Sequence, residues 1–283
     1  MTACGGGSDD GTVNTPPVNK APTAIAQDVL VTKNNAIVIT LAGNDTDGNI
    51  TSFTIGSEPS NGILSGTGTT QTYTPNADFN GSDTFQFSVT DNDGAVSSLV
   101  TVDITVNSLP VADHIELSVN EDNPIVVTLT GSDVDGSIAQ YQVTAQPSHG
   151  ALNGSGAEYT YVPNAHFYGS DTLQFKVTDN HGGVSELANV TIDVNSVNDD
   201  PVFSSTLNAE VSENITGAAY IAQATDTEED IVSFAITGGQ DSAIFAINST
   251  TGELSFIESP DFEAPLDIDK NNQYEVFISA LDG

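Results

Sequence analysis

The chain is 283 residues long and carries 39 Asp+Glu against 4 Lys+Arg, a formal net charge of −35 that repels phosphate backbones and anionic lipid head groups and so excludes nucleic acid as a partner. Yet 37% of the residues are hydrophobic and the carboxylates are scattered among Val, Ile, Phe and Thr, which excludes a disordered acidic tail and points to carboxylates gathered on hard divalent cations that take about 6–8 oxygen ligands each. A single cysteine excludes an intrachain disulfide, and the lack of any apolar run of about 18 residues excludes a membrane-crossing helix, leaving burial and bound metal to stabilise small modules.

Met1-Thr2-Ala3-Cys4 is followed by Gly5-Gly6-Gly7-Ser8-Asp9-Asp10-Gly11, which cannot bury a core, so residues 1–18 read as a flexible tether. Ala3-Cys4 resembles the end of a bacterial lipoprotein signal, with Met1 at the place of its aliphatic residue and its basic and apolar regions upstream of the chain. That resemblance implies lipidation of Cys4, a bacterial surface or secreted location, and membrane attachment through the lipid only.

From residue 19 the chain repeats itself without a gap. Pro22 matches Pro110, Gly43 matches Gly131, Pro75 matches Pro163 and Asp91 matches Asp179, each pair 88 residues apart. Two units follow, 19–108 and 109–196. In the first, Phe85, Phe87 and Val89 alternate with Thr84, Gln86 and Ser88, a period of two that predicts a strand with one apolar face; Phe175 and Val177 repeat it. Turns are expected at Asn61-Gly62, Asn80-Gly81 and Asn153-Gly154, and no stretch has helical spacing. The fold class is therefore all-β, with immunoglobulin-like β-sandwich modules arranged end to end.

The register is lost from Val202 onward, and residues 197–283 form a third unit in which Tyr274, Val276, Ile278 and Ala280 predict one face of a strand. This unit carries Glu213 in Val211-Ser212-Glu213-Asn214, the acidic turn Asp226-Thr227-Glu228, Phe245-Ala246-Ile247-Asn248 leading to Thr251-Gly252-Glu253-Leu254, then Asp261-Phe262-Glu263 and Ala280-Leu281-Asp282-Gly283. With these marks it resembles a cadherin repeat, lacking a last strand beyond Gly283. The first two units are similar to the cadherin-like repeats of bacterial adhesins, and Val197-Asn198-Asp199-Asp200-Pro201 resembles their linkers.

The resemblance implies calcium at the joints between modules. At the joint of units two and three it would draw Glu121 from unit two, Asn198 and Asp199 from the linker, and Asp226, Glu228 and Asp282 from unit three. At the joint of units one and two, Asp133, Asp135 and Asp179 match the upper set, but Lys33 stands in place of Glu121 and the linker reads Asn107-Ser108-Leu109-Pro110, so a weaker site is expected. Asp45, Asp47 and Asp91 form the equivalent set on unit one, while Glu213, Asp261 and Glu263 face a module beyond Gly283.

Catalytic chemistry finds little support. His114, His149, His166 and His181 share no ligand spacing, and no serine sits in a nucleophile elbow. The expected function is a calcium-rigidified surface adhesin or stalk, its partner another cell-surface protein, a glycan or a second copy of itself. The alternative is a set of accessory modules in a large secreted hydrolase.

Overall fold

The computed structural model describes residue 1 and residues 18–282, so Cys4 and most of the tether lie outside the described residues. Unit one is a sandwich. Its larger sheet runs in the order Gln27–Thr32, Val100–Asn107, Gly81–Asp91, Ile50–Ser57, and its smaller sheet in the order Ile37–Thr40, Thr70–Pro75, Gly62–Thr67. Unit two repeats both, with Ile115–Asn120, Ala188–Asn195, Gly169–Asp179, Ile138–Ala145 facing Ile125–Thr128, Glu158–Pro163, Gly150–Ser155.

The alternation seen in the sequence is what closes these sandwiches. Phe85, Phe87 and Val89 are fully buried against Ile39, Leu41 and Tyr73, and Leu173, Phe175 and Val177 are fully buried against Val127, Leu129 and Tyr161. Each such side chain contributes about 1.5–3 kcal/mol by leaving water. In both units the first and last strands of the larger sheet run parallel, Gln27 to Thr32 beside Val102 to Asn107 and Ile115 to Asn120 beside Val190 to Asn195.

A buried polar lock joins the two sheets. The Tyr73 hydroxyl donates to Asp83 Oδ2 at 2.8 Å, and the same carboxylate accepts the backbone N–H groups of Ser60, Asn61 and Thr84, each at 2.9 Å. Tyr161 and Asp171 repeat it with Ser148, His149 and Thr172. Burial would raise the Asp171 carboxyl, but its hydrogen bonds outweigh that and hold it below the ordinary range, while burial first and the carboxylate second push both tyrosines up.

Asn153-Gly154 does not form the expected turn. It lies within the strand Gly150–Ser155, with Asn153 paired to Thr160, and the chain reverses at Gly156, whose φ of +66° suits glycine.

Unit three has a thinner core, in which the buried apolar residues are Ala222, Phe234, Phe245 and Leu254. Tyr220–Ile221, Glu253–Phe256 and Phe245–Ile247 make one sheet, and Ser233–Gly238 pairs with Phe277–Leu281. The strand expected from Tyr274 starts at Phe277. Tyr274 instead packs edge-on against Phe245 and Phe256, at ring separations of 6.1 and 5.0 Å.

Candidate functional site

At the top of each unit the linker is clasped by two acidic turns. Asn107 donates its amide N–H to Asp179 Oδ2 at 2.8 Å, and the backbone N–H of Ser108 donates to Asp135 Oδ2 at 3.0 Å. In unit one Asn19 meets Asp91 Oδ2 at 2.8 Å, and the backbone of Lys20 meets Asp47 at 3.1 Å. In unit three Asn198 meets Asp282 Oδ2 at 2.7 Å, and the backbone of Asp199 meets Glu228 Oε2 at 3.0 Å. Three linkers thus make one pair of contacts, although unit three shares no gapless register with the others.

The turns have local causes. Asp179 Oδ1 accepts the backbone N–H groups of His181 and Gly183, both at 2.8 Å, which folds the loop after its strand. At Gly136 a Cβ would overlap Asp133 Oδ2 and Asn180 Oδ1, so glycine lets the turn close over the acidic pair.

Within each clasp the first carboxylate of the Asp-x-Asp or Asp-x-Glu turn keeps a buried oxygen without a hydrogen-bond partner. The orphans are Asp45 Oδ2, both oxygens of Asp133, and Asp226 Oδ2; Glu228 Oε1 and Asn107 Oδ1 share the condition. An unpaired buried carboxylate oxygen is costly unless a cation meets it. Burial raises the Asp133 carboxyl, and the nearby charges of Asp135 and Asp179 raise it further. Asp179 is held down: burial opposes ionisation, but the Asn107 amide and the turn N–H groups outweigh it. Oxygen donors, clustered negative charge and orphaned lone pairs fit a hard divalent cation.

Glu121 approaches the third clasp from unit two. It is 2% exposed, its Oε1 accepts the backbone N–H of Val197 at 2.7 Å, and its Oε2 is another buried orphan. Ligand atoms of Glu121, Asp122 and His166 lie within 4.8 Å of one another, and His166 Nδ1 is 2.8 Å from Asp199 Oδ2. The hydrogen bond to Asp199 raises the His166 pKa, with Asp122 adding to it. A second cluster, Glu213, Asp261 and Glu263, also falls within 4.8 Å but is exposed.

Of the fifteen positions expected from the sequence, Glu213, Asp261 and Glu263 bring ligand atoms within 4.8 Å of one another and Glu121 does so with Asp122 and His166, while the others lie at the three clasps through the contacts and orphaned oxygens described above. Asn19 and Asn107 join the clasps beyond the expected set, and the signal that marks them is their separation of 88 residues, the repeat period itself. Two further histidines hold structural places: His114 accepts the backbone N–H of Asn189 at 3.0 Å, and His149 stacks on Phe167 at 4.3 Å. No helix among the described residues is long and apolar enough to cross a membrane.

Residues 107–196 match the family model for the bacterial cadherin-like domain, and residues 19–105 match that for the bacterial Ig domain. Residues 19–196 are two tandem bacterial Ig-like and cadherin-like domains. No curated protein matches the chain. Among solved structures it is similar to Drosophila N-cadherin EC1-4, at 20% identity and a TM-score of 0.43, covering 94% of this chain and 72% of that one. Mouse Protocadherin-24 EC1-3 matches at 15% identity and a TM-score of 0.45, covering 94% and 98%. The human Desmocollin-1 ectodomain matches at 17% and 0.46, covering 93% of this chain and 58% of that one. The Ig-like and cadherin-like pair at 19–196 is followed by unit three, whose clasp has the same contacts.

Proposed function

We propose that this chain is part of a calcium-binding cell-surface adhesin or stalk, divided into a tether at 1–18 and modules at 19–108, 109–196 and 197–283. The observation that carries this reading is the orphaned carboxylate oxygen repeated at Asp45, Asp133 and Asp226. Calcium would be held at the second joint by Glu121, Asn198, Asp199, Asp226, Glu228 and Asp282, and more weakly at the first by Asn107, Asp133, Asp135 and Asp179. The ion supplies charge neutralisation. Without it, like charges on the two sides of a linker repel and the linker becomes a hinge. With it, modules about 35 Å long, from strands of about ten residues at ~3.4 Å each, stack into a rod. The bacterial family matches support a surface or secreted location; lipidation of Cys4 is this reading's expectation for the anchor. A surface protein, a glycan or a second copy of the chain would be the partner bound.

Extracellular calcium modules bind in the range of about 10⁻⁴–10⁻³ M, and free calcium at about ten times Kd stabilises a site by about 1.4 kcal/mol. Calorimetry of the chain with calcium and with chelator tests the reading. Calcium should raise the melting temperature, and Asp226→Ala should lose much of that rise. Equal melting temperatures in calcium and chelator would overturn it.

A further inference from the structure

Between the strands Glu253–Phe256 and Phe277–Leu281, residues 257–276 carry no strand, yet two buried carboxylates lie in or against this passage: Asp267 is 1% exposed and Asp241 is 4% exposed. Asp241 accepts the backbone N–H of Ile268 at 3.0 Å and of Glu275 at 2.9 Å, drawing together the two ends of a loop. Inside that loop, Asp267 Oδ2 accepts the backbone N–H of Asn271 at 2.6 Å, while Asp267 Oδ1 is buried with no hydrogen-bond partner.

Oxygen-bearing side chains follow this orphan at alternate positions along the chain. Asp269 follows Asp267 by two residues and Asn271 by four, and Lys270 and Asn272, between and after them, take left-handed φ values of 62° and 63°. A tight turn of this kind brings side chains one, three and five to one point, the arrangement that supplies the first oxygens of a helix-loop-helix calcium loop. Asn271 ties the turn together, its side-chain amide donating to Asp269 Oδ2 at 2.7 Å while its Oδ1 accepts the backbone N–H of Gln273 at 2.6 Å. The orphaned oxygen of Asp267 has neither a donor nor a positive charge to meet it, and burial makes that costly. Lys270 does not supply that charge, for its ammonium donates to the Pro265 carbonyl at 2.7 Å, and among the described residues no Lys or His pairs with either acid.

We propose that the loop Asp267–Gln273 is a calcium site inside unit three, separate from the joints, with Asp267 Oδ1, the Asp269 carboxylate and Asn271 as its protein ligands. All three donors are oxygen, which selects a hard cation over zinc or copper. The position where a helix-loop-helix loop places its bidentate Glu, eleven residues after the first ligand, is Ile278, so water or backbone completes the shell. The ion would fix Gln273 and hence Tyr274, whose ring closes the small aromatic cluster of Phe245 and Phe256. A module with few buried apolar side chains would thereby be stabilised by metal from within.

The site is read from within unit three and does not depend on calcium at the joints. Its test exploits Lys270, one of four Lys+Arg in the chain, at the centre of the loop. The full chain is digested with a lysine-specific, calcium-independent protease, and release of the peptide 271–283 is followed by mass spectrometry in calcium and in chelator. At free calcium about ten times Kd, cleavage at Lys270 should slow about tenfold. The slowing should persist in Asp226→Ala, which disturbs only the joint, and should be lost in Asp269→Asn, an exposed position whose substitution leaves the buried Asp267 in place. Cleavage at Lys270 that ignores calcium in the wild-type chain would overturn the proposal, as would equal protection in Asp269→Asn or loss of protection in Asp226→Ala. Protection at Lys270 in a chain whose Asp226→Ala variant melts like wild type in calcium would sustain the loop site and remove the joint.

Discussion

Next to the first linker, unit one presents Lys33, Asn34 and Asp78; next to the second, unit two presents Glu121, Asp122 and His166 at the matching places. The backbone beneath them is the same. Lys33 and Glu121 donate their backbone N–H groups to the carbonyls of Asn107 and Asn195, at 2.8 and 2.9 Å. Asn34 and Asp122 take φ values of 62° and 57°, and each accepts the backbone N–H of the residue opposite, Asp78 at 2.8 Å and His166 at 3.1 Å. Only the charges change. The Lys33 ammonium lies 3.8 Å from Asp78, whereas Glu121 brings a buried orphan oxygen towards a linker that adds Asp199. One scaffold thus carries an ammonium beside the first linker and an unpartnered carboxylate oxygen beside the second.

The largest test asks whether the scaffolds are as alike as this comparison requires. Asp83→Ala and Asp171→Ala each orphan a buried tyrosine hydroxyl and three backbone N–H groups, and each should destabilise its unit by about 3 kcal/mol in denaturant unfolding. Unequal losses would break the comparison. The Asp171 carboxyl is depressed in the folded chain, so its contribution is present above the unfolded value and lost as pH falls through the folded one.

Exchanging the rim residues should move the calcium response from one joint to the other. Glu121→Lys should remove about 1.4 kcal/mol of calcium-dependent stability from the second joint, and Lys33→Glu should strengthen the response of the first by a similar amount. Melting temperatures in calcium and in chelator check both, and a Lys33→Glu chain no more responsive than wild type would show that Lys33 is not what weakens that joint.

A smaller effect concerns Asp133, raised by burial and by its acidic neighbours. Because its folded-state pKa lies above the unfolded one, its contribution is present below the unfolded value near 4 and is lost as pH rises through the folded value. In chelator, Asp133→Asn should flatten that part of the stability profile, and in calcium it should weaken binding.

The smallest is at exposed His166, raised by Asp199. Its stabilising contribution is full below the ordinary histidine value near 6.5 and is lost as pH rises through the shifted one. An NMR titration should show a raised midpoint that falls back in Asp199→Asn.

Much of this was legible in the chain itself because it recurs. A gapless register of 88 residues carries strands, turns and carboxylates from unit one into unit two, and periodicity alone marks Phe85, Phe87 and Val89 as buried. What stayed hidden depends on partners distant in sequence. Asn107 meets Asp179 across 72 residues, and nothing local distinguishes it from any other linker asparagine. The Tyr73–Asp83 lock is a tyrosine and an aspartate until the fold buries both. In the passage 257–276, no periodicity marks Asp267, and only tertiary packing reveals its burial.

The parallel neighbours at the edge of each larger sheet bear on tension. In unit two the first and last strands of the larger sheet, Ile115–Asn120 and Ala188–Asn195, point the same way and are paired from Ile115↔Val190 to Asn120↔Asn195. A pull on the flanking linkers therefore acts along the ladder, shearing all of its hydrogen bonds together, where a hairpin pulled at its open end would unzip them singly. Under load such a unit is governed by how slowly it unfolds, not by its equilibrium stability, and a tether built from it could hold force far longer than its modest core implies.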